Sequence, residues 1–170
     1  MPVPGTGIRR VRESDLAAVV GLVHELAAYE RAPLECQLSR GQLRRALFGP
    51  QPALFGHVAE VGDTVVGCAL WFLNYSTWKG SHGIYLEDLY VQPEYRGRGL
   101  GRGLLAALAA ESCQRGFGRL EWSVLDWNMT AIRFYEALGA RPLDEWQTFR
   151  LSGDALSALG RAVEPAGSDG

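Results

Sequence analysis

The chain has 170 residues, a net charge of −2, and 47% hydrophobic and 10% aromatic residues, which sets one folded domain as the expectation and excludes a disordered chain. A nucleic-acid binder carries a basic excess or stripe, which this composition lacks. No apolar stretch reaches the roughly 18 to 20 residues of a bilayer span and Met1 to Gly7 is no signal peptide, so a soluble cytoplasmic protein without nucleic-acid or membrane partners is expected.

Residues 1–7 read as a flexible N-terminus, 8–160 as one domain and 161–170 as a disordered tail. Ile8 to Arg12 is a short strand, and Glu13-Ser14-Asp15 caps a helix from about 15 to 29 whose apolar positions are Leu16, Val19, Val20, Val23, Leu26 and Ala27. Ser39 caps a second helix, which Gly49-Pro50 ends. Ala53 to Val61 and Thr64 to Tyr75 form a hairpin about Gly62-Asp63. Gly83 to Val91 is the next strand, a long helix of about 99 to 115 follows, and Arg119 to Leu125 is a further strand. Asn128 caps a helix through Leu138, Gly139 is its C-cap, and Trp146 to Leu151 is a last strand. The order β-α-α-β-β-β-α-β-α-β describes a single α/β domain with a mixed central sheet flanked by helices. Cys36, Cys68 and Cys113, like His24, His57 and His82, have neither disulfide nor metal-ligand spacing and read as structural, so no metal is expected.

The informative segment joins the strand ending at Val91 to the long helix. Arg96-Gly97-Arg98-Gly99-Leu100-Gly101 is a glycine-rich turn running into a helix start, where exposed N–H groups and the helix dipole favour an anion with adjacent phosphates. No Gly-Lys-Ser/Thr follows, which excludes a nucleotide triphosphate P-loop. The turn lies past the middle of the chain and its downstream acid, Glu121, is explained as a strand residue, which argues against a dinucleotide fold. The pattern Arg-x-x-Gly-x-Gly at Arg96, Gly99 and Gly101 resembles the turn that GNAT N-acetyltransferases use for the pyrophosphate of acetyl-coenzyme A.

Asn128 to Gly139, with Phe134-Tyr135 inside it, is similar to that family's second signature, and residues 128, 132 and 135 share a helical face. The element order is also that of the GNAT fold. Within the family the chain resembles the spermidine/spermine (diamine) N-acetyltransferase branch through Glu25 to Glu30, Trp78-Lys79-Gly80, Tyr85 to Asp88 and Trp146 to Leu151. One departure is Arg31-Ala32-Pro33-Leu34-Glu35-Cys36, where the branch's polyamine enzymes tend to carry further acids. Fewer carboxylates attract a long polycation less, which keeps a diamine, thialysine or another lysine-like amine open.

The resemblance implies direct acetyl transfer from acetyl-CoA to a primary amine of a small polyamine or diamine, without a covalent intermediate, by a homodimer. It implies that Glu87, with Asp88 beside it, holds the ammonium and takes its proton, that Tyr135 protonates the leaving thiolate, and that Tyr29, Glu30, Trp78 and Trp146 line the amine side. Because neighbours on a strand face opposite ways, at most one of Glu87 and Asp88 is expected in the cleft, with Glu87 preferred. Backbone N–H groups near Leu89 and Val91 are placed to bind the thioester carbonyl, and Arg96 to Gly101 with Asn128 and Tyr135 complete the cofactor set. The alternatives are acetylation of thialysine, another amino acid or a protein N-terminus, and a non-catalytic acetyl-CoA-binding sensor.

Overall fold

A computed structural model describes residues 5–162. These fall into two compact units, one ending at Trp127 and one beginning at Asn128.

The first unit is built on a five-stranded sheet in chain order: β1 (Thr6–Arg10), β2 (Phe55–Val61), β3 (Thr64–Ser76), β4 (Ser81–Val91) and β5 (Leu120–Trp122). The first three pairings are antiparallel and β4 with β5 is parallel, so the sheet is mixed. A parallel pair needs a crossover, here helix α3 (Leu100–Gln114). Helices α1 (Leu16–Tyr29) and α2 (Arg40–Phe48) lie between β1 and β2 in the chain. The start of α2 is held reciprocally: Gln42 N–H donates to Ser39 Oγ at 3.2 Å and Ser39 N–H to Gln42 Oε1 at 2.8 Å, the capping arrangement expected from Ser39. Gly62 takes φ 60° at the β2–β3 turn, a conformation glycine adopts without a Cβ penalty.

On one face of the sheet, Leu16, Val19 and Leu22 of α1 and Leu43 and Leu47 of α2 bury against Val58, Cys68, Leu70 and Tyr90. Each such aliphatic side chain contributes roughly 1.5 to 3 kcal/mol relative to exposure. Helix α3 covers the other face through Leu104, Leu105 and Leu108. It comes so close that a Cβ on Gly103 would sit 3.1 Å from Ile8 Cγ1, which explains a glycine inside a helix. Trp71, wholly buried, stacks on Phe55 and donates its indole N–H to His57 Nδ1 at 3.2 Å. Burial holds His57 down to about 4, a neutral structural histidine. The Cys68 thiol is pushed up by burial and inert.

The second unit contains α4 (Met129–Ala137) and α5 (Gly153–Arg161). Asn128 caps α4 by accepting from Ala131 N–H at 3.2 Å, and Gly139 ends it at φ 90°.

Three expectations change. Thr6 and Gly7, assigned to a flexible terminus, are paired with Val61 and Glu60; residues 1–4 and 163–170 of the expected termini lie outside the described residues. Trp146 to Leu151 is not a strand: its apolar alternation suits one, but a strand exists only with a ladder partner, and α5 follows it unannounced by the sequence reading. β5 is confined to Leu120–Trp122 rather than running from Arg119 to Leu125, for a reason that also shapes the site.

Candidate active site

Across β3 and β4 the register slips: Leu70 faces Asp88 while Trp71 faces Leu86, which leaves Glu87 as the extra residue of a β-bulge. A bulge bends its strand and raises the local twist. The last pairing of β4 with β5 is Leu86 with Trp122, so the two strands part where the bulge begins and β4 runs on to Val91 with one edge uncovered by β5. Gln92 N–H donates to Val66 O at 2.9 Å. Since successive residues of an antiparallel strand address alternate edges, Tyr90 also points at β3, and Leu89 and Val91 present their N–H groups to the uncovered edge. The donors singled out from sequence are thus turned where a carbonyl could reach them.

The same bulge corrects the expectation that only one of the two acids can face the cleft. Alternation is interrupted at Glu87: Asp88 is opposite Leu70 on the α1 and α2 face, and so is Tyr85, which stacks on Phe72 at 5.1 Å. The Glu87 and Glu30 charges both act on Asp88, and the Glu87 charge acts on Glu30. Three carboxylates, from the end of α1 and the middle of β4, therefore act on one another electrostatically. The Asp88 carboxyl is pushed up to about 6, first by burial and then by Glu87 and Glu30; Glu30 is raised by partial desolvation and by Glu87. Among the described residues no ion pair or side-chain hydrogen bond reaches any of the three.

What sets α1 against β4 is polar and was missed in the sequence reading. Gln92 donates to Glu25 at 3.1 Å, and the Glu25 charge also acts on the Tyr90 hydroxyl, which burial and that charge push up. Arg96 donates its Nε to Val91 O at 2.8 Å and lies over the rings of Tyr29 and Tyr90 at 5.2 and 5.4 Å. Arg96 thus clamps the strand end to the helix as well as belonging to the turn. Trp127, also unforeseen, has its ring 6.3 Å from that of Tyr29 and carries the Arg31 guanidinium at 4.1 Å.

In the glycine-rich turn Gly97 and Gly99 take φ 74° and 79°, left-handed conformations that cost an L side chain strain. Gly99 is the N-cap of α3 and no side chain caps that terminus, so the first N–H groups at Leu100 and Gly101 remain for an outside acceptor. Leu100 is itself buried and anchors the turn. Arg98 donates to Glu94 O at 3.3 Å and lies over Tyr95. These features fit a pyrophosphate.

Trp78 does not join this group. It is 89% exposed at the tip of the β3–β4 hairpin. At about 3.3 Å per residue it lies roughly 20 Å along β4 from Glu87, so within one chain it lines a different surface from the acids. Asn128, Tyr135 and Trp146 belong to the second unit; there Asn128 caps α4 and Tyr135 follows it two turns later, its ring 5.4 Å from that of Phe134. Among the described residues no cluster of three metal-ligating side chains occurs, and no helix is long and apolar enough to cross a membrane.

Residues 22–140 match the Acetyltransferase (GNAT) family. The chain is 40% identical to thialysine N-epsilon-acetyltransferase of Bos taurus, covering 89% of this chain and 95% of that one. It is 31% identical to spermidine/spermine N(1)-acetyltransferase-like protein 1 of Homo sapiens over 88% of this chain and 23% of that longer one. Among solved structures, an integron cassette protein from the mobile metagenome of V. cholerae aligns with TM-score 0.79 at 27% identity, covering 94% of this chain and all of that one. The phosphate-type turn, the parted strands and these likenesses agree: the chain belongs to the GNAT acetyltransferase family and is an acyltransferase.

Proposed function

We propose that the protein transfers acetyl from acetyl-CoA directly to a primary amine of a small diamine, polyamine or lysine-like amino acid, and that Glu30, Glu87 and Asp88 receive that amine. The observation that carries the reading is the bulge that brings Glu87 and Asp88 together where β4 parts from β5, with Glu30 acting on Asp88 and no cation paired to any of the three among the described residues. A relative named for thialysine and another named for spermidine and spermine support an ammonium-bearing acceptor.

The chemistry follows from these groups. A primary amine with pKa near 10.4 must lose a proton before it attacks, which at neutral pH costs roughly 4 kcal/mol. Glu30 and Glu87 hold the cation; Asp88, pushed up to about 6, is matched to accept the proton near neutral pH, directly or through water. The Leu89 and Val91 N–H groups are preorganised donors for the charge that develops on the thioester oxygen. The pyrophosphate belongs at Arg96 to Gly101, where left-handed glycines and the uncapped start of α3 gather N–H groups. Tyr135, a phenol protonated at neutral pH, supplies the proton for the departing thiolate, with Asn128 at the head of its helix. The setting is a homodimer, carried over from the resemblance, in the cytoplasm, carried over from the reading of the sequence.

Initial-rate assays of coenzyme A release with diamines, polyamines and lysine-like acceptors test this. Asp88→Asn and Tyr135→Phe should each lower turnover about 10²-fold, as loss of a general base or acid does, and Asp88→Asn should remove the acidic limb near pH 6 from the pH–rate profile. Full turnover in both variants, with folding intact, would sink the assignment.

A further inference from the structure

Arg31 is the one non-glycine residue with positive φ among the described residues, at 65°. It ends α1: Ala32 N–H returns to Ala27 O at 2.9 Å and Arg31 N–H to Ala28 O at 3.1 Å, a helix end at which glycine is the usual residue because it has no Cβ. An arginine here needs another reason, and a strained residue beside a site points to function. Its guanidinium carbon sits 4.1 Å over the ring centre of Trp127, whose ring is 6.3 Å from that of Tyr29, which in turn lies under Arg96. Among the described residues this guanidinium has no carboxylate partner, although Glu30 is its chain neighbour. A guanidinium held over a ring without a carboxylate partner still has N–H groups to offer one, the planar geometry it binds best.

We infer that Arg31, held over Trp127 by the left-handed end of α1, is the residue that reads the carboxylate of an ω-amino α-amino acid, and so selects such an acceptor over the diamine of the same chain length. The inference rests on the acetyl-acceptor reading above and names a determinant within it. In the chain the acid Glu30, at the end of α1, is followed at once by the cation Arg31. An amino acid with an amine on its side chain carries the complementary pair, an ammonium at the reacting end and a carboxylate at the other. A diamine carries its second ammonium there with no carboxylate to offset it, and the two cations repel, whereas the amino acid's α-ammonium is balanced by its carboxylate. Tyr29 and Trp127 offer apolar faces to the methylenes between.

Lysine and cadaverine differ only by that carboxylate, so the ratio of their kcat/KM values reads the effect of Arg31, and calorimetric affinities for the two compounds read it without turnover. The parent should favour lysine in both measurements. Arg31→Gln should lower kcat/KM for lysine about fivefold, the scale of a partly exposed ion pair, while leaving cadaverine within twofold; Arg31→Glu should invert the preference. Arg31→Gly should melt at or above the parent temperature because the strain is gone, yet lose the selectivity, which a merely structural role would not do. No lysine preference in the parent, or equal losses on both compounds in Arg31→Gln, would overturn the inference. Arg31-dependent binding of lysine with no acetylation of either compound would instead uphold it and overturn the acetyl-acceptor reading.

Discussion

Arg9, Asp15 and Glu60 make one charged cluster of the first unit and Glu30, Glu87 and Asp88 another, and the two resolve their charge in opposite ways. Asp15 accepts from Arg9 at 2.7 and 3.0 Å and from Arg12 N–H at 2.7 Å, and Glu60 accepts from the same guanidinium. The hydrogen bonds from Arg9 hold both carboxyls below the usual carboxylate range. The second cluster has no such cation, and Asp88 rises instead to about 6. A buried charge needs a partner. Where the fold supplies one, the cluster ties β1, β2 and the entry to α1 together; where it does not, a stabilising contact is given up and a place is left for a cation from outside.

The largest expected effect breaks the first cluster. Arg9→Met should leave Asp15 and Glu60 without their cation and cost about 3 kcal/mol, the range for removing one partner of a largely buried pair, while the folded fraction keeps its turnover. Urea denaturation with parallel kinetics measures both. Because Asp15 has a lowered folded value, the stability it confers is present above its unfolded value near 3.9 and is lost on acidification, so the Arg9→Met deficit should shrink as the pH falls. A deficit that does not change with pH would mean that the cluster contributes by packing alone.

Neutralising Asp88 should do the reverse. Its folded value lies above the unfolded one, so the folded state binds the proton more tightly and ionisation weakens the fold as pH rises from about 4 to 6. Asp88→Asn should therefore stabilise at pH 7, by about 1 kcal/mol once solvent screening is allowed for, and lose that gain below about pH 4. Thermal melts at the two pH values decide it. A destabilised Asp88→Asn at pH 7 would show that the carboxylate has a partner in the folded protein and would erase the contrast between the clusters.

Much of the first unit follows from local rules, and the site follows where those rules break. Ser39 with Gln42, Gly62 and Asn128 occupy the caps and turn that their chemistry requires, and the glycines at 97 and 99 take the left-handed angles that a close phosphate approach demands. The bulge at Glu87 was not legible, because it arises from the register of β4 on β3, and strict alternation then misplaced one acid. Shortening of β5 is a consequence of the same bulge. Arg31 carries no local signal for positive φ, since glycine is the residue that announces it. Trp78 shows the limit of motif matching: the Trp78-Lys79-Gly80 stretch is present, but the hairpin carries it away from the acids of its own chain.

The smallest effect concerns Glu30, exposed at the end of α1 and the farthest of the three acids from the reacting atoms in the proposed chemistry. If the cluster holds a cation by shared charge, Glu30→Gln removes one of three attractions at a solvated rim, so the Michaelis constant should rise by no more than about fivefold, roughly 1 kcal/mol or less, with kcat nearly unchanged. The loss of a like charge should also lower the Asp88 value, because Glu30 is one of the charges that raise it, and the acidic limb of the pH–rate profile should move to lower pH. The two signs separate this from a packing defect, which would lower turnover without moving the limb. A diamine and a monoamine of matched length sharpen the comparison: if Glu30 meets a second ammonium, only the diamine suffers; equal losses on both would place Glu30 around the reacting nitrogen with Glu87 and Asp88, making all three acids one subsite.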